Sequence, residues 1–297
     1  MGDLGFDGRV AIVTGAGNGL GRAHARLLAA RGAQVVVNDL GGAVDGAGAS
    51  SGPAAAVARE IEDAGGVALA NTDTVATPDG GRALVDAAVE AFGRVDIVVN
   101  NAGILRDRAF HNLTPAELDP VLDVHLRGSF FVTLPAWRVM RERGYGRVVF
   151  TSSASGILGN FGQANYGAAK MGVVGMTRVL AVEGARHGIR VNAIAPMART
   201  RMTDGLLGDM HDRLDPELVS PVAAWLAHER CSLTGEVFTV GGGRVGRMFV
   251  GVTPGYFNPD LTIEDVDAHL DEIRDEAGYV VPADSLGELP LLVKHFT

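Results

Sequence analysis

The chain has 297 residues, 47% of them hydrophobic, and a formal net charge of −9. This acidity argues against non-specific binding to nucleic acid or to an anionic membrane, because both need a basic surface. The single cysteine, Cys231, excludes an intrachain disulfide, and without a signal segment or an apolar run of about 18 residues we expect a cytoplasmic protein with no membrane span.

Short apolar segments alternate with amphipathic ones along most of the chain. Strands are predicted at residues 9–14, 34–38, 67–70, 96–99, 147–152, 190–194 and 236–240. Helices are predicted at residues 22–31, 53–64, 77–92, 115–143, 163–183 and 216–229. This alternation predicts an α/β fold, a doubly wound parallel sheet of about seven strands (Rossmann fold), with ligands at the carboxyl ends of the strands.

The end of the chain differs in character. We predict a Rossmann domain over residues 1–245 and a C-terminal extension over residues 246–297, with loop at 241–259. Thr262 is a predicted N-cap of a helix with apolar residues at helical spacing, namely Ile263, Val266, Leu270 and Ile273. Both an oligomer contact and a substrate lid remain open as roles for this extension.

A glycine-rich turn follows the first strand and precedes a helix. Gly15, Gly19 and Gly21 allow a tight turn and a close approach of backbone to a pyrophosphate, which the helix N-terminus attracts. Asn18 and Leu20 lie between these glycines. The spacing alone is a weak signal, but its place after the first strand predicts a dinucleotide site made by these five residues.

Asp39 ends the second strand, 18 residues after Gly21. A carboxylate there can accept hydrogen bonds from the adenosine ribose hydroxyls and repels a 2′-phosphate, so NAD is the predicted cofactor rather than NADP. The alternative is a solvated loop carboxylate. The glycine-rich insertion at 41–52 is long for its position, and its sequence leaves its role open. Asp73, after the third strand, is a predicted contact of the adenine.

The stretch Asn100 to Gly103 (NNAG) follows the fourth strand. Small residues at the carboxyl end of a strand let a cofactor pass close to the backbone, which predicts contacts from Asn101, Ala102 and Gly103. The alternative is a simple turn that ends the strand.

Tyr166 and Lys170 are one helical turn apart on a predicted Ala- and Gly-rich helix. Side chains at i and i+4 share a helix face, so the ammonium is expected to lower the pKa of the phenol from its usual value of about 10. Ser153, 13 residues before Tyr166, is placed to hydrogen-bond a substrate oxygen. The alternative is an ordinary helix that carries an aromatic and a cation, although the chain has only four tyrosines and two lysines.

The motifs TGAGNGLG, NDLGG, NNAG, SSASG, YGAAK and NAIAP, in this order, resemble those of the short-chain dehydrogenase/reductase family over residues 8–245. The resemblance implies that Tyr166 is the general acid/base, that Lys170 holds the nicotinamide ribose, and that Ser153 steadies the reacting oxygen. It also implies a homodimer or homotetramer. Within the family, the motifs look closest to the dehydrogenase unit of peroxisomal multifunctional enzymes of type 2, which oxidises (3R)-3-hydroxyacyl-CoA and in some members 17β-hydroxysteroids.

The sequence departs from the family pattern at three places. His125 aligns with the usual catalytic Asn, and a role of its backbone carbonyl in a proton relay could survive this change. Pro196 is followed by Met197 where the family has Gly, and Thr200, matched to the Thr that contacts the carboxamide, comes one residue early. The last 50 or so residues exceed the family core.

We therefore expect an NAD-dependent enzyme that oxidises a small-molecule secondary alcohol, a (3R)-3-hydroxyacyl-CoA or a hydroxysteroid, without a metal. A ketone reductase acting on a polyketide or terpenoid, and a non-catalytic NAD-binding protein, are the alternatives. The loops at 104–112, 154–162 and 197–212 are expected to line the substrate pocket, the last by closing over a ligand. Four arginines are candidates for binding CoA phosphates or are ordinary surface residues, namely Arg106, Arg108, Arg199 and Arg201.

Overall fold

The computed structural model describes residues 4–201 and 212–296. The strands are Val10–Thr14 (β1), Gln34–Asn38 (β2), Val67–Asn71 (β3), Ile97–Asn100 (β4), Gly146–Thr151 (β5), Ile189–Pro196 (β6), Val237–Gly241 (β7) and Arg244–Met248 (β8). The helices are Gly19–Ala30 (α1), Gly52–Asp63 (α2), Pro78–Phe92 (α3), Pro115–Leu122 (α4), Gly128–Arg143 (α5), Ala154–Ile157 (α6), Ala164–Gly184 (α7), Ser220–Ala227 (α8), Ile263–Ala268 (α9), Leu270–Arg274 (α10) and Leu289–Val293 (α11).

The strands form one sheet in the order β3-β2-β1-β4-β5-β6-β7-β8, and β1 to β7 pair in parallel. Every residue of β1, β4 and β5 is buried, as expected of parallel strands covered by helices on both faces. The strand order reverses at β1, and a crevice opens there at the carboxyl ends. The predicted α/β Rossmann fold is confirmed.

The predicted helix over residues 115–143 is interrupted in the structure. A π-helical turn, Asp123–Arg127, separates α4 from α5, and His125 is buried in that turn. The wider turn carries one residue more than an α-helical turn would. It sets the His125 ring against the backbone of Ile104, which its Nε2 contacts at 3.0 Å (nitrogen) and 2.8 Å (oxygen).

The prediction of loop throughout 241–259 was wrong at β8. Gly242 and Gly243, with φ of 56° and 82°, connect β7 to β8. Glycine tolerates this left-handed backbone, and a two-residue Gly-Gly connection between two strands is typical of a hairpin. The short helix α6 was also not predicted.

The chain divides into two compact units, Met1–Arg247 and Met248–Thr297. In the second unit Thr262 caps α9 as predicted, with its hydroxyl accepting from the backbone N–H of Asp265 at 3.1 Å. The predicted single helix is two short helices, α9 and α10, which meet at His269. None of residues 248–296 is fully buried.

Across residues 4–201 and 212–296, every helix is too short or too polar to cross a lipid bilayer.

Candidate functional site

The glycine-rich turn after β1 is shaped by close backbone contacts. Gly15 and Gly19 have φ of 64° and 51°, a left-handed conformation that favours glycine. A Cβ on Gly15 would lie 2.8 Å from Cα of Ala102, so the turn and the NNAG stretch pack backbone to backbone. A Cβ on Gly21 would overlap the carbonyl oxygen of Gly15. Each of these three glycines therefore has a steric reason to be glycine.

Thr14 fixes the NNAG stretch, a role that sequence reasoning missed. Its hydroxyl accepts from the backbone N–H groups of Asn101 and Ala102, both at 3.0 Å. The Asn101 side-chain amide donates back to the carbonyls of Thr14 at 3.1 Å and Gly15 at 3.2 Å. The sequence signal for this role was a hydroxyl residue at the last position of β1, directly before the glycine turn.

The Asp39 carboxylate is hydrogen-bonded to the backbone of two loops. Its oxygens accept from the backbone N–H of Gly17 at 2.8 Å and of Gly41 at 2.7 Å. Thr14 pairs with Asn38, so the shared register sets Asp39 beside the glycine turn. An ionised carboxylate has about four acceptor sites, so each oxygen can accept a further hydrogen bond.

Asp73 belongs to a chain of amide hydrogen bonds at the ends of β2 and β3. The Asn38 side chain donates to the side-chain oxygen of Asn71 at 2.7 Å, and Asn71 donates to the Asp73 carboxylate at 2.8 Å. This network orients Asp73, and the two asparagines were not predicted to take part.

These groups line a cavity of about 460 Å³ at the carboxyl ends of the strands. The predicted site residues on its wall are Gly15, Asn18, Gly19, Leu20, Asp39, Asp73, Asn101, Ala102, Gly103, His125, Tyr166, Lys170, Pro196 and Thr200. Gly21 and Ser153 are not part of the wall. The structure thus brings fourteen of the sixteen predicted residues to one cavity.

Lys170 is 4% exposed, and its ammonium is hydrogen-bonded to a backbone carbonyl. Nζ donates to the carbonyl of Thr151 at 2.6 Å and lies 5.5 Å from the centroid of the Tyr166 ring. Burial lowers the pKa of Lys170 to about 7. Burial also raises the pKa of Tyr166, and the hydrogen bond from Ser153 offsets this only in part. The expected lowering of the tyrosine pKa was therefore wrong for this arrangement, because desolvation of the phenolate is the largest influence on that pKa.

Ser153 caps α6 and hydrogen-bonds to Tyr166. Two neighbours that sequence reasoning missed hold this segment against α7. Ser152 donates to the backbone carbonyl of Lys170 at 2.8 Å, and a Cβ on Gly156 would lie 2.7 Å from Cβ of Lys170. The run of small residues in SSASG was the signal for this close packing.

His125 braces the tyrosine from the π-helical turn. Its ring meets that of Tyr166 edge to face, with 5.1 Å between centroids and 87° between planes. Burial, and then the charge of Lys170, hold the pKa of His125 well below its usual value, so the imidazole is neutral. The carbonyl of His125 accepts from the Ser129 hydroxyl at 2.7 Å. Nδ1 is buried and has no hydrogen-bond partner within the described part of the chain.

Asn165, in the first turn of α7, holds the start of this helix in place, a role that sequence reasoning missed. This buried side chain donates to the carbonyls of Arg106 and Glu117, both at 2.9 Å, and accepts from the backbone N–H of Tyr166 at 2.8 Å. The first turn of a helix leaves N–H groups without partners inside the helix, and Asn165 meets one of them. It thereby ties the start of α7 to the loop after β4.

The four candidate arginines have different surroundings. Arg108 and Arg199 each pair with a carboxylate at 3.6 Å. Arg106 donates to two backbone carbonyls, and Arg106 and Arg201 both line the cavity. Residues 202–211, most of the stretch expected to close over a ligand, lie outside the described residues.

Comparison with known protein families gives an assignment. Residues 9–209 match the family model described as short chain dehydrogenase. The chain belongs to this family. Short-chain dehydrogenases are oxidoreductases that act on small molecules with a nicotinamide cofactor.

Three curated relatives cover most of the chain. It is 50% identical over 276 residues to Rv0148 of Mycobacterium tuberculosis, named as a short-chain type dehydrogenase/reductase, with 92% of this chain and 96% of that protein covered. It is 52% identical over 246 residues to mouse peroxisomal multifunctional enzyme type 2, covering 82% of this chain and 33% of that protein. It is 41% identical over 259 residues to the M. tuberculosis hydroxyacyl-CoA dehydrogenase ChsB1, covering 81% and 79%.

Among solved structures, full-length peroxisomal multifunctional enzyme type 2 from Drosophila melanogaster matches with a TM-score of 0.83 and 37% identity. The match covers 99% of this chain and 50% of that one. The predicted resemblance to these enzymes is therefore confirmed, while the chain spans only about a third of the mouse protein and half of the fly protein.

Proposed function

We propose that the protein oxidises a secondary alcohol to a ketone with NAD, and that the alcohol is a (3R)-3-hydroxyacyl-CoA or a hydroxysteroid. The observation that carries this proposal is that Asp39, Tyr166 and Lys170 line one cavity. A carboxylate that favours NAD and a tyrosine–lysine pair suited to proton transfer are thus within reach of one dinucleotide.

The residues around the cavity fit a nicotinamide dinucleotide. Gly15 and Gly19 present bare backbone at the N-terminus of α1, where a pyrophosphate is attracted by N–H groups and the helix dipole. Asp39 offers acceptors to two ribose hydroxyls. Thr200 lies next to Gly19, whose Cβ would be 3.4 Å from its methyl group. NAD, when bound, accepts the hydride.

The side chains of the protein accept the hydroxyl proton of the substrate and orient its oxygen. We assign Tyr166 as the base that takes the hydroxyl proton and Ser153 as the donor that orients the same oxygen. Because burial raises the pKa of Tyr166, its phenol is protonated at neutral pH, and oxidation should become faster as the pH rises. We assign Lys170, whose side chain lines the cavity beside Tyr166, to binding the nicotinamide ribose.

His125 has a positioning role in this proposal. Its neutral ring packs on Tyr166, and its carbonyl already accepts from Ser129. A carbonyl oxygen has two lone pairs, so it can still accept from a relay water.

The substrate class rests on relatives and on exposed apolar side chains of two loops. Hydroxyacyl-CoA dehydrogenase ChsB1 and the multifunctional enzymes are similar to this chain. Large apolar side chains stand exposed on the two loops expected to line the pocket, namely Phe110 (78%), Leu158 (75%) and Phe161 (89%). Exposed apolar side chains of this kind suit contact with an acyl chain or a steroid.

The test is an assay of NAD reduction, monitored by the absorbance of NADH. Hydroxyacyl-CoAs and hydroxysteroids are tested in parallel as substrates. Tyr166→Phe should lower kcat at least about 100-fold, since general acid–base catalysis contributes about that much. Tyr145→Phe is the matched control, because Tyr145 precedes β5 whereas Tyr166 lies beyond its carboxyl end. Near-normal turnover by Tyr166→Phe would refute the mechanism.

Cofactor choice is tested on the same substrate. The wild type should prefer NAD, and Asp39→Asn, which removes the charge, should reduce that preference at least about tenfold. Preference of the wild type for NADP with a ketone would favour the reductase alternative instead. The proposed homodimer or homotetramer is tested by light scattering.

A further inference from the structure

The insertion at 41–50 forms a loop whose two ends lie next to each other. Ser50 donates from its backbone N–H to the carbonyl of Leu40 at 2.9 Å, and a Cβ on Gly41 would overlap the Ser50 carbonyl oxygen. At the tip, the N–H of Ala43 donates to the carbonyl of Ala47 at 2.8 Å. A compact loop of this size whose ends meet is an Ω-loop, a class that is frequently functional.

The tip of this loop is fastened to the segment after β4. The N–H of Leu105 donates to the carbonyl of Val44 at 2.9 Å, and Nε of Arg106 donates to the carbonyl of Asp45 at 2.8 Å. Another nitrogen of the Arg106 guanidinium donates to the carbonyl of Ala116 at 2.8 Å. Arg106 therefore joins the loop tip to α4 through two charge-assisted hydrogen bonds.

The fastened loop is one wall of the cavity. Gly42, Ala43, Val44 and Gly46 line the same cavity as Asp39. The first residue of the loop, Gly41, donates from its backbone N–H to the Asp39 carboxylate at 2.7 Å. A ligand held by Asp39 would therefore lie against a wall whose position depends on Arg106.

We propose that Arg106 is a positioning residue for the cofactor, which holds the 41–50 loop against the dinucleotide and so sets its affinity. The inference rests on the proposed function in that the cavity takes a dinucleotide. It gives Arg106 a role other than binding CoA phosphate, one that uses two of the five N–H donors of its guanidinium. The fork geometry of guanidinium is what spans both acceptors, and a lysine ammonium does not reproduce it.

The experiment measures NADH binding directly, by calorimetry on the 297-residue chain without substrate. Arg106→Ala and Arg106→Lys should both raise the Kd for NADH about tenfold, the loss expected when a charge-assisted hydrogen bond is removed. Hydrogen exchange at the amides of residues 41–50 should become faster in both variants. The KM for NAD should rise by a similar factor, with a smaller change in kcat.

Two further variants make the result specific. Gly41→Ala, which forces the closed neck apart without touching Arg106, should reproduce the weaker NADH binding. Arg108→Ala is the matched control, since this exposed guanidinium pairs with Glu117 rather than with the loop, and it should leave the Kd for NADH within about twofold.

A different outcome would overturn the inference. If Arg106→Ala keeps normal NADH affinity and raises the KM for acyl-CoA, with Arg106→Lys restoring it, the guanidinium binds substrate phosphate. If the variants show the expected binding pattern while the wild type oxidises none of the alcohols, the loop inference stands and the proposed activity fails. A wild type that binds neither NADH nor NADPH refutes both.

Discussion

Replacing Lys170 with methionine should stabilise the protein while removing its proposed activity. The buried ammonium has its pKa lowered from 10.5 to about 7, so the folded state binds this proton less tightly than the unfolded state. Proton linkage then costs the folded state about 4 kcal/mol at pH 7 and about 2 kcal/mol at pH 9. Loss of the hydrogen bond to the Thr151 carbonyl offsets about 1 kcal/mol of the gain. Lys170→Met should be more stable by about 3 kcal/mol at pH 7 and about 1 kcal/mol at pH 9.

Urea unfolding followed by circular dichroism measures both values, at one protein concentration and without NAD because a bound ligand adds its own stabilisation. Lys294→Met is the matched control, since Lys294 is the other lysine of the chain and is exposed. Its free energy of unfolding should stay within about 0.5 kcal/mol of the wild type at both pH values. A Lys170→Met protein that is less stable at pH 7, or whose advantage does not shrink at pH 9, would refute the reasoning.

Three other perturbations test the core and the glycine turn. Burial lowers the pKa of His24 to about 4, so only the unfolded state is protonated as the pH falls below 6.5. The titration of His24 should lower the free energy of unfolding by about 2 kcal/mol between pH 7.5 and pH 5. Urea unfolding at the two pH values should show that this decrease is about 2 kcal/mol smaller in His24→Gln than in the wild type. Gly21→Ala, which drives a methyl group into the Gly15 carbonyl, should lower the Tm by about 5 °C or more in calorimetry. Asp96, fully buried, accepts from the guanidinium of Arg94 at 2.6 and 2.7 Å. Asp96→Asn should cost about 3 kcal/mol by urea denaturation, and an unchanged midpoint would contradict the assigned ion pair.

The features that depend on local sequence were predictable. Buried parallel strands are continuous apolar runs, which is why the fully buried strands β1, β4 and β5 could be placed from the sequence. The spacing of the glycines, of Asp39 after β2, and of Tyr166 and Lys170 on one helix face placed most candidate residues at the cavity that the structure contains. The Gly242–Gly243 turn was as local a signal, and β8 could have been predicted from it.

The features that depend on distant backbone were not predictable. The direction of the tyrosine pKa shift follows from burial, which depends on the packing of several segments. The Lys170 ammonium donates to the carbonyl of Thr151, 19 residues earlier. Asn165 binds carbonyls 59 and 48 residues away, and the sequence gives no sign of either. Arg106 looked like a surface cation for a phosphate, because its backbone acceptors lie on two other segments.

The π-helical turn at Asp123–Arg127 has a consequence for how this domain tolerates insertions and deletions. Removing one residue from an ordinary α-helix rotates everything beyond it by about 100°, which would turn the buried face of α5 toward solvent. A π turn already contains one residue in excess, so losing one there restores a regular α-helix and leaves the faces of α4 and α5 where they are. The turn that holds His125 is therefore a place in this helix where the chain can lose one residue and keep the buried faces of α4 and α5 in position.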